Sequence, residues 1–451
     1  MSNIEQVTYT AIKTNKGKPR LWIEGAKLDA AGFKRGQLYN VEVTDSNVFF
    51  TLDDEGNRKV SGRTRNGKDI PIIDCNLPQL YDVFGQDARV RAVFQQGKIS
   101  VSLHHEQQAQ QEREQRFIKN LQGGQLKEAS LFTGGAISTT AIHDAVKDAG
   151  ITGDLCWVVD CELKYLQSAA ANSWAINDNT TFLVGRAEEI ESQFFTKVDL
   201  LSFSMPCSGF SRAGTVKHKQ TSEEHEGGTS LFGVLNAVRT ANPALLVSEN
   251  VTEAQGSPIY TLLISELKRL GYTVLERVLS NADTGTFEAR SRYWFIAISE
   301  GLADDLAFDL ADVMKQSRIL SDFMDSEVPE DMWADNAYLK DKAVRDAEAG
   351  KGFANRQLLT GSESKIGTIG RHYAKRRSTE PFIIREDGKE RLLTPAEHAR
   401  VKSVPEALVK DTPMTTAHQI LGQGIDYLQA YLPVRKLIEN LLGKLAVPCA
   451  A

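Results

Sequence analysis

The sequence predicts an α/β protein: an open sheet covered by helices, preceded by a separate β-rich segment. Three observations carry this. Between residues 126 and 299, short apolar runs (129–132, 156–159, 198–203, 244–247, 293–298) alternate with helical stretches, the rhythm of βαβ units. Residues 1–103 instead show short strand-like stretches broken by turn residues. Between the two, residues 104–120 are rich in Gln, Glu and Arg and almost free of apolar side chains.

In order, the N-terminal strands are expected at 20–24, 39–44, 48–52, 70–73, 89–94 and 98–103, with Asn66-Gly67 and Gln96-Gly97 as hairpin turns. Residues 104–125 read as a solvated helical linker. Residues 126–300 form the α/β region. Residues 301–417 begin charged, irregular and Gly-punctuated, and after Leu392 helical patterns return. An amphipathic stretch at 427–442 closes the chain, and residues 418–451 are expected to complete the α/β region. No repeat with a period of 20–50 residues is visible.

The chain has 451 residues, enough for two to four domains at ~100–200 residues each. Hydrophobic content of 41% and charged content of 25% suit a globular protein with a sizeable core. The net charge of −6 argues mildly against nucleic acid as partner, yet charge is segregated along the chain. Nine carboxylates lie between Asp304 and Asp331, and Lys365, Arg371, Lys375, Arg376 and Arg377 follow. The five cysteines are odd in number and form no CxxC pair, which excludes a disulfide framework and a structural zinc site. No metal is expected. The N-terminus has no apolar leader and no run approaches the ~20 apolar residues of a membrane span, so a reducing cytoplasm is the expected location.

Chemistry concentrates where β-like runs end. Residues 198–203 run into Ser204-Met205-Pro206-Cys207-Ser208-Gly209. Ligands and catalytic groups gather at the carboxyl ends of strands in such sheets. Pro206 fixes the backbone before Cys207, and Ser208-Gly209 permits a loop after it, so Cys207 is placed as a nucleophile. The next run delivers Ser248-Glu249-Asn250-Val251. Glu288-Ala289-Arg290-Ser291-Arg292 then precedes the apolar run at 293–298, and arginines at i and i+2 on a strand share one face. Such a pair can hold a carboxylate.

With these residues in this order, the chain resembles the DNA cytosine-5 methyltransferase family from about Leu131 to Leu442. Pro206-Cys207 matches the family's Pro-Cys, and Glu249-Asn250-Val251 its Glu-Asn-Val. Arg290 and Arg292 match its Gln-x-Arg-x-Arg, with Glu288 in place of Gln. Asp199 stands at the family's acidic position. The resemblance implies a Rossmann-like fold that uses S-adenosylmethionine, with a smaller target-recognition domain. It implies catalytic roles for Cys207, Glu249, Arg290 and Arg292. Cofactor contacts are implied for Phe132, Gly134, Asp160, Cys161, Arg186, Pro206, Leu231 and Gln423. Ala136 stands where a second loop glycine is usual, Cys161 where a larger residue stacks, Arg186 where an acid is usual and Gln423 where Asn is usual.

Further implications follow from the same resemblance. Arg391-Leu392-Leu393-Thr394, Glu397 and Arg400 are similar to the ninth motif, which organises target recognition. Lys365–Arg377, with His372 and Tyr373, suits groove contacts. Arg212, Lys217, His218 and Lys219 suit a lid over phosphates. The implied partner is double-stranded DNA, with a cognate restriction endonuclease, in a bacterial or phage-encoded setting. Around Leu21-Trp22-Ile23-Glu24-Gly25, Gly32-Phe33 and Gly36 the N-terminal segment loosely resembles swapped-hairpin β modules of bacterial regulators. Such modules bind DNA or dimerise, so the chain is expected as a monomer or as a dimer through this segment. Two alternatives stand: an RNA cytosine-5 methyltransferase, and a DNA-binding regulator with a decayed catalytic region.

Overall fold

A computed structural model describes residues 6–206, 226–350, 357–378 and 380–446. The chain forms two compact units, Met1–Glu112 and Arg113–Ala451. The division falls inside one helix, His105–Gln122. From Arg113 onward this helix is not the solvated linker expected: Arg113, Phe117 and Leu121, spaced by four, are buried. Arg113 donates to the Ser299 hydroxyl (2.8 Å) and to the Leu270 and Gly271 carbonyls (2.9 and 2.8 Å). Its sparse apolar content hid a helix that docks through an arginine.

In the second unit, seven strands of the described residues make one sheet. They are β1 (Gln125–Leu131), β2 (Thr152–Asp160), β3 (Thr181–Val184), β4 (Leu200–Phe203), β5 (Leu245–Asn250), β6 (Tyr272–Leu279) and β7 (Arg292–Ser299). The order is β3-β2-β1-β4-β5-β7-β6. β7 alone runs antiparallel, to both neighbours; the other pairings are parallel. Every residue of β4 and β5 is buried, as expected of strands covered on both faces. The helices are α1 (Ile137–Asp148), α2 (Leu163–Asn172), α3 (Ser230–Ala241), α4 (Pro258–Arg269), α5 (Pro395–Val401), α6 (Met414–Gln423) and α7 (Tyr427–Ala446). One apolar layer joins α1 and α7 to the sheet, and the other joins α3 and α4. Strand order reverses between β1 and β4, so a crevice opens at their carboxyl ends.

The segment between β7 and α6 carries a small sheet of its own (Leu358–Leu359, Phe382–Ile384, Glu390–Arg391). Phe287, Leu320, Ile366, Ile369, Tyr373 and Leu393 contribute to its core. Tyr373, which the sequence suggested for groove contact, is fully buried; its hydroxyl donates to the Pro381 carbonyl (2.8 Å) and accepts from the Leu393 N–H (2.9 Å). Lys365, Arg371, Lys375 and Arg377 stay exposed. Among the described residues no helix is long and apolar enough to cross a membrane.

The first unit holds two sheets. One runs in the order Gln6–Ala11, Arg89–Gln95, Lys98–Leu103, Asn47–Leu52, Leu38–Val43, Arg58–Lys59. The other runs Lys13–Asn15, Lys18–Glu24, Lys68–Cys75, Ser61–Arg65. The edge strands and the short helices Ala26–Ala30 and Gln79–Phe84 were not legible in the sequence. Nor was a repeat, yet the unit is built of two copies. Lys16-Gly17 (φ +51° and +77°) and Asn66-Gly67 (φ +51° and +73°) form the same left-handed two-residue turn, fifty residues apart. Ile23 and Ile73, also fifty apart, face each other in an antiparallel pair. Phe49 faces Ser100, its counterpart at a spacing of fifty-one. A residue opposite its own counterpart marks a two-fold axis. The outer strands cross over in the same sense: Gln6–Ala11 pairs with Arg89–Gln95, and Arg58–Lys59 with Leu38–Val43. Thus the halves exchange strands within one chain.

Candidate active site

At the carboxyl end of β1 the chain turns at once. Phe132, Gly134 and Ala136 all adopt positive φ (+56°, +55° and +61°), and α1 starts directly after. Gly135 is needed for space: a Cβ there would stand 2.3 Å from the Ile420 side chain of α6. A Cβ on Gly134 would lie 3.5 Å from the Gln423 amide, so the end of α6 borders this loop. Phe132 is half-buried against the core that contains Leu231 of α3.

β2 ends in Asp160. Its carboxylate accepts from the Gly134 N–H (2.7 Å) and the Glu162 N–H (2.8 Å), which ties the two strand ends together. Burial pushes the Asp160 carboxyl above its ordinary range, against the pull of those two N–H groups. Cys161 is exposed; partial burial and the neighbouring Asp160 and Glu162 raise its thiol pKa, the opposite of what a nucleophile needs. Beyond β3, Arg186 donates to Glu188 Oε1 (3.0 Å), and the Thr229 hydroxyl donates to the same oxygen (2.7 Å). Burial raises the Glu188 carboxyl, but Thr229 and Arg186 outweigh it and hold it below its usual range. Sequence reasoning had not singled out Glu188.

β4 leads into Ser204, Met205 and the exposed Pro206. Cys207, and with it Arg212, Lys217, His218 and Lys219, lies outside the described residues. β5 delivers Glu249 and Asn250 at the same end of the sheet. Glu249 Oε1 meets Arg292 Nε at 2.9 Å, and Oε2 accepts from the Ser204 hydroxyl at 2.9 Å. Asn250 Nδ2 donates to the Met205 carbonyl (2.9 Å) and to Tyr260 Oη (2.9 Å). The Glu-Asn pair therefore grips the segment just before Cys207 through Ser204 and Met205. Ser204 and Tyr260 carry no signal of their own in the sequence. Asp199 sits at the opposite, amino end of β4, where Arg116 Nε (3.1 Å), Asn120 Nδ2 (2.7 Å) and the Lys127 N–H (2.9 Å) hold it.

Of the two arginines, only Arg292 reaches Glu249. The strand begins at Arg292, so alternation does not extend back to Arg290. Arg290 is buried instead, with Nε 3.3 Å from Glu288 and its terminal nitrogen donating to the Ile369 and Gly422 carbonyls (2.7 and 3.0 Å). Glu288 also meets Lys402 Nζ at 2.7 Å and the Ile369 N–H at 2.8 Å. Burial opposes ionisation of Glu288, but Arg290 and Lys402 win and pull its pKa down to about 2. A carboxylate where Gln is usual is thereby matched by a buried lysine. Nearby, Arg391 clasps Glu397 with two bonds (2.6 and 2.9 Å), and Thr394 and Glu397 cap α5 reciprocally. No group of three or more His, Cys, Asp or Glu among the described residues could hold a metal.

Sheet order, reversed seventh strand, glycine turn and Asp160 together define a Rossmann-like methyltransferase fold. Similarity to solved structures agrees on the fold. The Dnmt2 methyltransferase of S. pombe aligns with a TM-score of 0.54 at 17% identity over 72% of this chain and 100% of that one. The methyltransferase EhMeth of Entamoeba histolytica aligns with a TM-score of 0.55 at 15% identity over 71% and 99%. The family model for C-5 cytosine-specific DNA methylase matches residues 127–430, and the chain belongs to that family. Type II methyltransferase M.DsaV of Dactylococcopsis salina is 27% identical over 220 residues, 47% of this chain and 60% of that protein. Type II methyltransferase M.NlaX of Neisseria lactamica is 26% identical over 237 residues, 50% and 72% of the two chains.

Proposed function

We propose that the chain is a DNA cytosine-5 methyltransferase acting on a specific duplex sequence through Cys207. The observation that carries this is the clasp at the ends of β4 and β5. There Arg292 and Ser204 hold Glu249, and Asn250 holds the Met205 carbonyl two residues before the cysteine.

The residues present fit S-adenosylmethionine. Asp160 offers a carboxylate for ribose hydroxyls, the Phe132–Gly135 turn offers close backbone approach, and Gln423, Pro206 and Leu231 border the same strand ends. At the adenine edge, Arg186 is a donor; the acceptor there is Glu188, and small Cys161 leaves the ring face open. When bound, S-adenosylmethionine supplies the electrophilic methyl group that C5 accepts.

C5 of cytosine is a poor nucleophile until the ring is activated. The Cys207 thiolate adds to C6, and the electron pair of the 5,6 double bond moves towards C5 and N3. Glu249, fixed by Arg292 and Ser204, meets N3 and relieves that charge. After methylation, loss of the C5 proton and then of the Cys207 sulfur restores the ring. C6 cannot be reached in a stacked duplex, so the base is flipped out at a cost of a few kcal/mol. Arg290 acts at one remove, as a positioning residue between the recognition segment and the end of α6. Residues 301–417, with exposed Lys365, Arg371, Lys375 and Arg377, select the sequence. The setting we infer is a bacterial or phage-infected cytoplasm, as the partner of a cognate endonuclease.

Bisulfite sequencing of DNA from cells expressing the chain tests this reading. One protected sequence is expected, lost with Cys207→Ala, together with a covalent complex on duplex DNA carrying 5-fluorocytosine. Methyl transfer to RNA alone, or to neither, overturns it.

A further inference from the structure

A basic residue of the segment between β7 and α6 reaches the cofactor end of the sheet. Gly370 and Arg371 lie tight against the last turn of α6: a Cβ on Gly422 would stand 2.3 Å from the Gly370 carbonyl oxygen and 2.7 Å from the Arg371 nitrogen. From there the Arg371 side chain crosses to α2. Its Nη2 donates to Tyr165 Oη (3.0 Å), and Tyr165 Oη donates to Gln419 Oε1 (3.2 Å), one turn before Gln423 on α6. Glu162 Oε1 lies 3.8 Å from the same Nη2. Glu162 is also the residue whose N–H holds Asp160, so Arg371 stands beside the acid that ends β2. Burial raises the Asp160 carboxyl, and the Arg371 charge is near enough to oppose that rise.

An ordinary surface ion pair does not account for this placement. Arg371 and Glu162 keep 44% and 46% exposure, and so open a pair at 3.8 Å fastens little. Apart from the bond to Tyr165, the guanidinium makes no hydrogen bond among the described residues, so most of its N–H groups are uncommitted. Lys164, the other cation beside Glu162, lies 3.9 Å from Oε2 and leans over the Tyr165 ring (5.0 Å). Asp160 has the complementary need. Its Oδ2 takes the Gly134 N–H and its Oδ1 the Glu162 N–H, and each oxygen keeps a lone pair for a hydroxyl. The ionised carboxylate cannot donate. A ribose hydroxyl that gives its proton to Asp160 therefore still presents an oxygen that needs a donor.

We propose, on the footing of the ribose site at Asp160, that Arg371 is a cofactor-binding residue: it donates to a ribose hydroxyl of S-adenosylmethionine whose proton Asp160 accepts. The sheet then supplies the acceptor for that hydroxyl, and the segment proposed to select the DNA sequence supplies the donor. Tyr165 aims the guanidinium, as a positioning residue.

The test is isothermal titration of the full-length chain without DNA, so that groove contacts stay silent. S-adenosylhomocysteine and its 2′,3′-dideoxy analogue are titrated into the wild type, Arg371→Met and Tyr165→Phe. Arg371→Met should bind S-adenosylhomocysteine about tenfold more weakly than the wild type, the scale of one hydrogen bond from a charged donor, yet match it on the analogue. Tyr165→Phe should lose about threefold on the first ligand and nothing on the second. Ligand-free Arg371→Met should melt as the wild type does. Unchanged affinity for S-adenosylhomocysteine in Arg371→Met overturns the proposal. An equal loss on both ligands overturns it too, because it marks a structural role. If Arg371→Met fails to fold, Tyr165→Phe decides by the same two criteria. A wild-type chain that binds both ligands equally would sink the ribose site at Asp160 itself; a wild type that prefers the hydroxylated ligand, matched by Arg371→Met, would sink this inference alone.

Discussion

Arg290 and Arg292 stand two residues apart, and both face a carboxylate, yet they serve different environments. Arg292 meets Glu249 at the open end of the sheet, where its side chain keeps 16% exposure. Arg290 is shut in with Glu288 and Lys402, both fully buried. The first pair holds a carboxylate at the open end of the sheet, where the proposed reaction would need it. The second turns charge into a fastening between Ile369, Gly422 and the strand. Neighbouring charges in one motif can thus divide between chemistry and architecture, and burial together with the remaining hydrogen-bond partners tells them apart.

The contrast breaks first at Glu249. Glu249→Gln is expected to lower turnover by about 10²–10⁴-fold with little change in melting, the range for loss of proton-handling groups; steady-state methylation beside a thermal scan reads both. Next comes the buried cluster. Lys402→Met leaves Glu288 short of a partner and should cost about 3–5 kcal/mol in urea unfolding. Adding Glu288→Gln should recover much of that loss, and a double variant no better than the single would refute the pairing.

Acid then sharpens the distinction. Glu288 has its folded pKa depressed from 4.5 to about 2, so its contribution is present above about 4.5 and is lost as pH falls toward 2. The Lys402→Met/Glu288→Gln variant should show less of this acid-dependent loss in unfolding measured between those values. The smallest effect is expected at Ala136. Its left-handed backbone favours glycine, while its buried methyl favours alanine, and the two offset to within about 1 kcal/mol. Ala136→Gly should therefore leave both the melting point and the apparent affinity for S-adenosylmethionine near wild type.

Five of the seven strands were legible because they are apolar runs that end in short polar motifs; the turn after β1, Asp160 and Glu249 all follow such runs, whereas the edge strands β3 and β6, with several exposed or half-buried residues, were not legible. What escaped besides was whatever depends on partners distant in sequence. Arg290 is buried by carbonyls at 369 and 422, and no local pattern announces them. The helix before β1 hides its packing face because an arginine occupies one of its three buried positions. The duplication in the first unit keeps Thr14 and Thr64, Gly17 and Gly67, Lys18 and Lys68, and Ile23 and Ile73 alike, but little else around them. Its spacing also slips from fifty to fifty-one between the paired strands, which defeats a search at fixed period.

Gly422 shows how tightly two tasks are coupled. A side chain there would come within 2.3 Å of the Gly370 carbonyl, while the next residue, Gln423, borders the turn after β1. The segment between β7 and α6 and the turn after β1 thus lean on neighbouring residues at the end of α6, with no spare volume at the glycine. If that segment selects the target sequence as proposed, changes of specificity are expected first at exposed side chains such as Lys365, because the backbone at Gly370 has no room to approach α6.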